Sequence, residues 1–445
     1  MTWPLPLTVI EKLLLAEDRP GYSWSVFFRL RFSKRLNEAT VRAAVLAVLP
    51  RHPLLCSLVR RTFLGGWQWI EAENKTPLFE SVPSVDGREY PPAKYLDLTK
   101  EIGIRVILVS DDHSSDVIFQ IHHAVLDGKG MIGFVQDWLI AYAREIGVAP
   151  TDLDFTPLDE SLLPKRGRMG LTFGRVLGMI RRQLVGLEGV KQFLANKPTP
   201  LLPHIARPSQ ELANNQFPAV RLNYFTVDET LGTIRAAKKL GVSVNELLIR
   251  DLLSAIFSLQ KNHGVYLEDN VIRLMIPMNM RCPGDERMSA ANVVSSIFID
   301  RCGRQGEDSD HLLQSIRDEM QVIKKNELGF TFIFSLKLRD GLPGRIAGTV
   351  RGEKCRISSI LTNVGQVLVD GPLPRDNDRI VVGDAVLEHF EFVAPLRPYL
   401  VATFAVATYA GQIRITMQFN ADALSDAQAD ALMQNLVAAV RATGK

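Results

Sequence analysis

Apolar residues recur along this chain with two periods, and the switches between them mark out its elements. Leu7 to Leu15 and Glu38 to Val48 repeat every three to four positions, as amphipathic helices do, and Asn37 stands where an N-cap belongs. Ser23 to Phe32 alternates with the period of a strand. Leu58 to Arg61 and Trp67 to Glu71 flank Gly65-Gly66 and predict a hairpin. Ile104 to Val109 and Val117 to Ile121, on either side of the polar Asp111 to Asp116, predict a second one. Met131 to Arg144 returns to helical spacing. Further on, Arg221 to Phe225 and Val271 to Pro277 are strand-like, whereas Asp228 to Leu240, Val244 to Leu259 (capped by Ser243) and His311 to Lys325 are helical. Val401 to Thr408 and Gln412 to Phe419 form a hairpin around Ala410-Gly411, and Ser425 caps a closing amphipathic helix that runs to Val440.

Strands and helices are interspersed throughout, which predicts an α/β fold of the α+β sandwich kind. The chain has 445 residues, long for one core and suited to two domains of about 200. The expected division is an N-terminal unit over 1–156, a crossover over 157–218 and a C-terminal unit over 219–445. Hydrophobic residues make up 46% of the chain, so a packed globular protein is expected. A net charge of +3 is too near balance for nucleic-acid binding to be the main role. Cys56, Cys282, Cys302 and Cys355 are scattered, which fits reduced thiols better than a disulfide frame or a zinc site. The first residues lack a basic region followed by an apolar core, and no run reaches the roughly 18 apolar residues of a spanning helix. A cytoplasmic monomer, at most peripheral at a membrane, is expected.

The crossover carries one local asymmetry. Between Pro164 and Gln192 lie seven basic residues and one acid, Glu188, together with Leu171, Val176, Leu177, Ile180, Leu184 and Leu187. Such a segment can lie on an anionic membrane or meet an acidic carrier protein. It can equally be a solvated crossover packed on the body, and its glycines weaken a helix.

The chemistry concentrates in Ile121-His122-His123-Ala124-Val125-Leu126-Asp127-Gly128. A histidine near its free pKa can take a proton from a hydroxyl, amine or thiol at neutral pH. The β-branched run before the motif delivers it at a strand end, and Gly128 and Gly130 turn the chain after it. Neighbours on a strand face opposite ways, so one histidine is chemical and the other structural, and the spacing favours His123 as the reactive one. Asp127 can hold the turn, and Gly128 leaves room for a ligand to approach. The plain alternatives are a satisfied core histidine beside an ordinary Asp-Gly turn, and a metal site. A metal needs three or four ligands, and only His123 and Asp127 fall on one side, so no metal is expected.

His-His-x-x-x-Asp-Gly resembles the signature of the condensation-domain and CoA-dependent acyltransferase superfamily. Other stretches are similar to that family's in order and spacing: Arg51-His52-Pro53-Leu54-Leu55, Ser243 to Leu248, the Pro-x-x-x-Arg of Pro277 to Arg281, and Thr362-Asn363-Val364-Gly365. The resemblance implies two chloramphenicol-acetyltransferase-like subdomains, each a mixed sheet flanked by helices, set in a V around a tunnel. It implies acyl transfer from a thioester on CoA or a phosphopantetheinyl carrier protein, as co-substrate rather than bound cofactor, to an alcohol or amine. His123 would be the general base. His122, Asp127, Gly128 and Arg281 would support the site, with Asp127 paired to Arg281. Oxyanion donors would come from N–H groups near Gly128, or from Asn363 and Gly365. Ester formation is the expectation, because no carrier or adenylation domain is fused to the chain. A free-standing amide-forming condensation enzyme and a silent carrier- or lipid-binding homologue are the alternatives. Thr362 in place of serine, Gln366 after the glycine and Ala291-Asn292-Val293 in place of Gly-Asn depart from the family's pattern. The first two argue against the wax ester synthase branch, and the third bears on the acceptor side.

Overall fold

The computed structural model describes residues 3–445 apart from 64–65, 85–89, 149–152, 204–217, 307, 342–345, 347 and 349–354. Gly65 of the expected hairpin turn and 204–217 of the crossover lie outside the described residues.

The chain opens with β1 (Leu5–Pro6), α1 (Val9–Glu17), β2 (Ser25–Phe32), α2 (Glu38–Val48), β3 (Ser57–Arg61), β4 (Trp67–Glu71), β5 (Leu78–Pro83), β6 (Ile104–Ser110), β7 (Ser115–His122) and α3 (Gly128–Glu145). The crossover holds α4 (Phe173–Ala195). There follow β8 (Val220–Tyr224), α5 (Val227–Leu240), α6 (Val244–Asn262), β9 (Val271–Asn279), β10 (Val294–Cys302), α7 (Ser309–Lys325), α8 (Gly329–Asp340) and β11 (Ser359–Gln366). The chain closes with β12 (Arg375–Asp376), β13 (Arg379–Val382), β14 (Ala385–Val393), β15 (Ala402–Tyr409), β16 (Gln412–Phe419) and α9 (Asp426–Gly444).

Two mixed sheets carry the structure. The first has strand order β12-β13-β14-β2-β7-β6-β5, the second β10-β9-β11-β15-β16-β8, and β1, β4 and β3 make a small third sheet. Each large sheet mixes parallel and antiparallel pairs. Every residue of β7 is buried, because both faces of this strand are covered. Val117, Phe119 and Ile121 face the main core, where Phe119 meets Phe134 and Trp138 of α3 edge-on. Asp116, Ile118, Gln120 and His122 lie on the other face. Ala410 (φ 47°) and Gly411 (φ 72°) link β15 to β16 with two positive-φ residues, as a two-residue hairpin with the right-handed strand twist requires.

The sheets do not follow the expected division of the chain. Residues 375–393, grouped by sequence with the unit over 219–445, run along β2 and complete the first sheet. Aromatic pairing accounts for this return: Phe392 lies opposite Phe28, their rings stacked 5.7 Å apart at 12°. The seam between the sheets is also polar. Arg414 of β16 donates to Glu391 of β14 at 3.2 Å, and within the first sheet Arg29 of β2 donates both to Glu391 and, at 2.9 Å, to Asp116 of β7.

The crossover differs from its sequence reading in two respects. A 23-residue helix forms despite its glycines. At least one of them is needed there, since a Cβ on Gly186 would stand 2.6 Å from Thr331 Oγ1 of α8. Arg166, one of the seven basic residues of that stretch, is buried. Its guanidinium grips Glu11 of α1 through Nε (2.7 Å) and Nη2 (2.8 Å), and Trp69 Nε1 donates to the same carboxylate. This fork stabilises its planar geometry and staples the start of the crossover to the first helix. Among the described residues no helix is long and apolar enough to cross a membrane.

Candidate functional site

The motif sits where β7 gives way to α3. The strand ends at His122, so His123 lies in the turn after it rather than on the sheet. His122 is fully buried. Its Nδ1 accepts the Ala124 N–H at 3.1 Å, which leaves Nε2 to carry the ring proton toward Asp18, 3.3 Å away. Asp18 also accepts from the Trp24 N–H and the Tyr95 hydroxyl. This histidine therefore braces the turn from inside.

His123 is only partly buried. Its backbone is held at both ends: the N–H donates to Trp24 O at 2.7 Å, and the carbonyl accepts from Asn292 Nδ2 at 2.8 Å. The ring Nδ1 lies 2.9 Å from Leu126 O. A carbonyl only accepts, so Nδ1 carries the proton and the lone pair of the neutral ring sits on Nε2. Trp24 lies against the ring, with centroids 5.8 Å apart. Desolvation lowers the pKa of His123 below the ordinary histidine value, against the opposing pull of the Leu126 carbonyl and the Asp127 charge.

Asp127 points away from His123 and caps α3. Its carboxylate accepts the Gly130 N–H (2.9 Å), the Val293 N–H (2.7 Å) and Arg281 Nη1 (2.7 Å). Burial alone would raise its pKa. The Arg281 guanidinium and the two N–H groups outweigh that and hold the carboxyl below the usual range. The contact with Arg281 is single rather than forked, because Nη2 of Arg281 goes to Ala291 O at 2.9 Å. Asp127 and Arg281 thus meet, and together they tie the β7–α3 turn to the β9–β10 connection.

Residues 290–293 of that connection form a clamp that local sequence patterns did not point to. The Ala291 carbonyl also accepts the Asp127 N–H, and the Ala290 N–H donates to Nδ1 of the buried His52 at 3.0 Å. Asn292 is 1% exposed, and its Oδ1 has no partner among the described residues. The only sequence signal for this clamp was the departure at Ala291-Asn292-Val293. The start of α3 passes close to this backbone: a Cβ on Gly130 would stand 2.9 Å from Ala291 O and 3.0 Å from Ala291 N. Gly130→Ala should therefore cost about 1–3 kcal/mol in thermal unfolding, since a backbone cannot slide aside as a side chain can. Gly128 meets a side chain instead, Val364 Cγ1 at 2.5 Å. The space a Cβ would need there is filled by Val364. Gly128→Ala should be milder and largely repaired by adding Val364→Ala, and failure of that repair in the same melts would sink this reading of the contact.

The Val364 contact brings β11 against the motif. Asn363 is partly exposed, and a bulge falls between Asn363 and Gly365, where φ is +72°. The Gly365 N–H is spent on Asn363 Oδ1 at 2.8 Å, so it is not a free oxyanion donor. Asn363 Nδ2 has no partner among the described residues. As for a metal, His123 Nδ1 and the Asp127 carboxylate are both committed elsewhere. Among the described residues no group of three or more His, Cys, Asp or Glu side chains could hold an ion.

Comparison with known proteins agrees on the architecture. No protein-family model matches the chain. HC-toxin synthetase of Cochliobolus carbonum is 31% identical over 137 residues, a stretch that covers 28% of this chain and 3% of that protein. The first condensation domain of the CDA synthetase superposes with a TM-score of 0.71 at 13% identity, covering 100% of this chain and 96% of that one. The starter condensation domain of rhizomide synthetase gives 0.66 at 14%, covering 99% and 94%. The fold is that of the condensation domains of peptide synthetases: a pseudo-dimer of two mixed sheets flanked by helices.

Proposed function

We propose that this chain transfers an acyl group from a thioester, on CoA or on the phosphopantetheinyl arm of a carrier protein, to an amine or hydroxyl acceptor. The observation that carries the reading is the geometry of His123. Its Nδ1 is fixed on the Leu126 carbonyl, and Nε2 is left as a lone pair on a partly exposed ring. The acceptor's N–H or O–H proton passes to Nε2 as the acceptor attacks the thioester carbon. The tetrahedral intermediate then collapses, the C–S bond breaks, and the imidazolium returns the proton to the leaving sulfur. The substrate supplies the nucleophile, so no side chain of the enzyme is acylated. The developing oxyanion would take hydrogen bonds from Asn363 Nδ2 and from the Gly128 and Lys129 N–H groups, since those of Gly130 and Met131 are already bound to Asp127.

An amine acceptor draws support from the relatives. The partial match is to a toxin synthetase, and the rhizomide synthetase structure holds C8-CoA with Leu-SNAC. Expected partners are therefore a thioester donor, an acceptor and, where the donor is carrier-bound, an acyl carrier protein. The test is thiol release from acyl-CoAs and acyl-pantetheines of graded length, with amine and alcohol pools, and product mass to tell amide from ester. Acceptor-dependent release is expected. Its absence with every donor would overturn catalysis in favour of a silent binding homologue. The depressed His123 pKa also fixes a sign. The rate should be flat above pH 7 and fall on acidification, with an apparent pKa below the ordinary 6.5.

A further inference from the structure

The helix α4 carries an unusual outward face. Phe173, Leu177, Ile180, Leu184 and Leu187 follow one another at intervals of four, three, four and three residues, and Leu194 continues the row a heptad beyond. That spacing puts them on one side of a helix, over about 30 Å of its length. They are 82%, 52%, 51%, 59%, 57% and 69% exposed respectively. The row cannot roll inward, because the opposite face is pinned. Met179 and Gly186 are buried, Gly186 lies against Thr331, and Gln183 Nε2 donates to the Asn326 and Glu327 carbonyls.

Charge decides what could cover it. From Lys165 to Lys197 the chain has eight basic residues and one acid, Glu188. Arg166 is buried on Glu11, and Arg175 and Arg182 share the single Glu327. Lys165, Arg168, Arg181 and Lys197 stand exposed with no ion pair among the described residues. A second copy packed in parallel would set the exposed Arg181 of each helix near its counterpart, which opposes that arrangement. A protein partner would need a matching apolar ridge of the same length. A bilayer supplies apolar depth along the whole row and anionic headgroups beside it. We infer that α4 is a membrane-surface helix that seats this protein on anionic phospholipid.

The test is co-sedimentation of the full chain with vesicles of phosphatidylcholine alone and of equal parts phosphatidylcholine and phosphatidylglycerol. Binding is expected only to the anionic vesicles, and it should weaken at high salt. Leu177→Gln with Leu184→Gln should weaken it at least about tenfold, and Arg181→Glu severalfold. These side chains are exposed, so the variants should keep the wild-type melting temperature and thiol-release activity. That separates this result from the fate of the acyl-transfer reading. Failure to sediment with the anionic vesicles, or sedimentation that both variants retain, overturns the inference. A dimer in light scattering that the double variant dissolves would overturn it too, by giving the row to a second copy.

Discussion

Replacing His123 by alanine should reduce acceptor-dependent thiol release by about 10²–10⁴-fold, the usual range for loss of a positioned general acid–base. The fold should tolerate the change. The interactions that locate this residue are made by its backbone with Trp24 and Asn292, and an alanine keeps both. A comparison with Asn292→Ala separates chemistry from placement. The one hydrogen bond of the Asn292 side chain among the described residues is to the His123 carbonyl, so its loss should lower the rate less and leave the sign of the pH profile intact. Undiminished release in His123→Ala, with a wild-type melting curve, would remove the general base from the mechanism.

Asp127→Ala should be the most destabilising single change in the motif, by roughly 3–5 kcal/mol if Arg281 stays buried without its counter-charge. The Asp127 side chain is 6% exposed and that of Arg281 14%. Two backbone donors, at Gly130 and Val293, would also lose their acceptor. Removing both partners should cost less than the sum of the two single losses, because Asp127→Ala/Arg281→Ala leaves no orphaned charge. Strict additivity in urea denaturation would refute the coupling. The pair also sets an acid limit. The folded-state pKa of Asp127 is depressed, so its stabilisation is present above the ordinary carboxylate range and is lost as pH falls through the folded value.

Much of this was legible in the order of residues because periodicity reports burial. Val117 to Ile121, Val401 to Thr408 and the Ser425-capped helix follow their patterns closely, since each lays apolar residues against a core along its whole length. The parts that escaped are those where tertiary contact overrides the local signal. Gly329–Asp340 reads GFTFIFSLKLRD, aromatic and β-prone, yet it forms α8 against the main core and α1. In β14, His389 and Glu391 break the apolar run of a strand, and both meet Arg414, contributed by the other sheet. At the site, local sequence marked His123 and the turn. Family likeness paired Asp127 with Arg281. Neither could show that Ala291 offers one carbonyl to two partners, or that Gly365 has already spent its N–H, because both depend on how close two distant segments come.

The passage of residues 375–393 into the first sheet has a consequence for any attempt to exchange parts of this protein. A chimera cut once, in the crossover, would inherit β2 without β14 beside it and a second half with three strands left over. The exchangeable unit is discontinuous. A functional swap needs at least three junctions, one in the crossover and one on each side of 375–393. By the same pairing the two halves of the chain are tied together at a sheet as well as through the crossover.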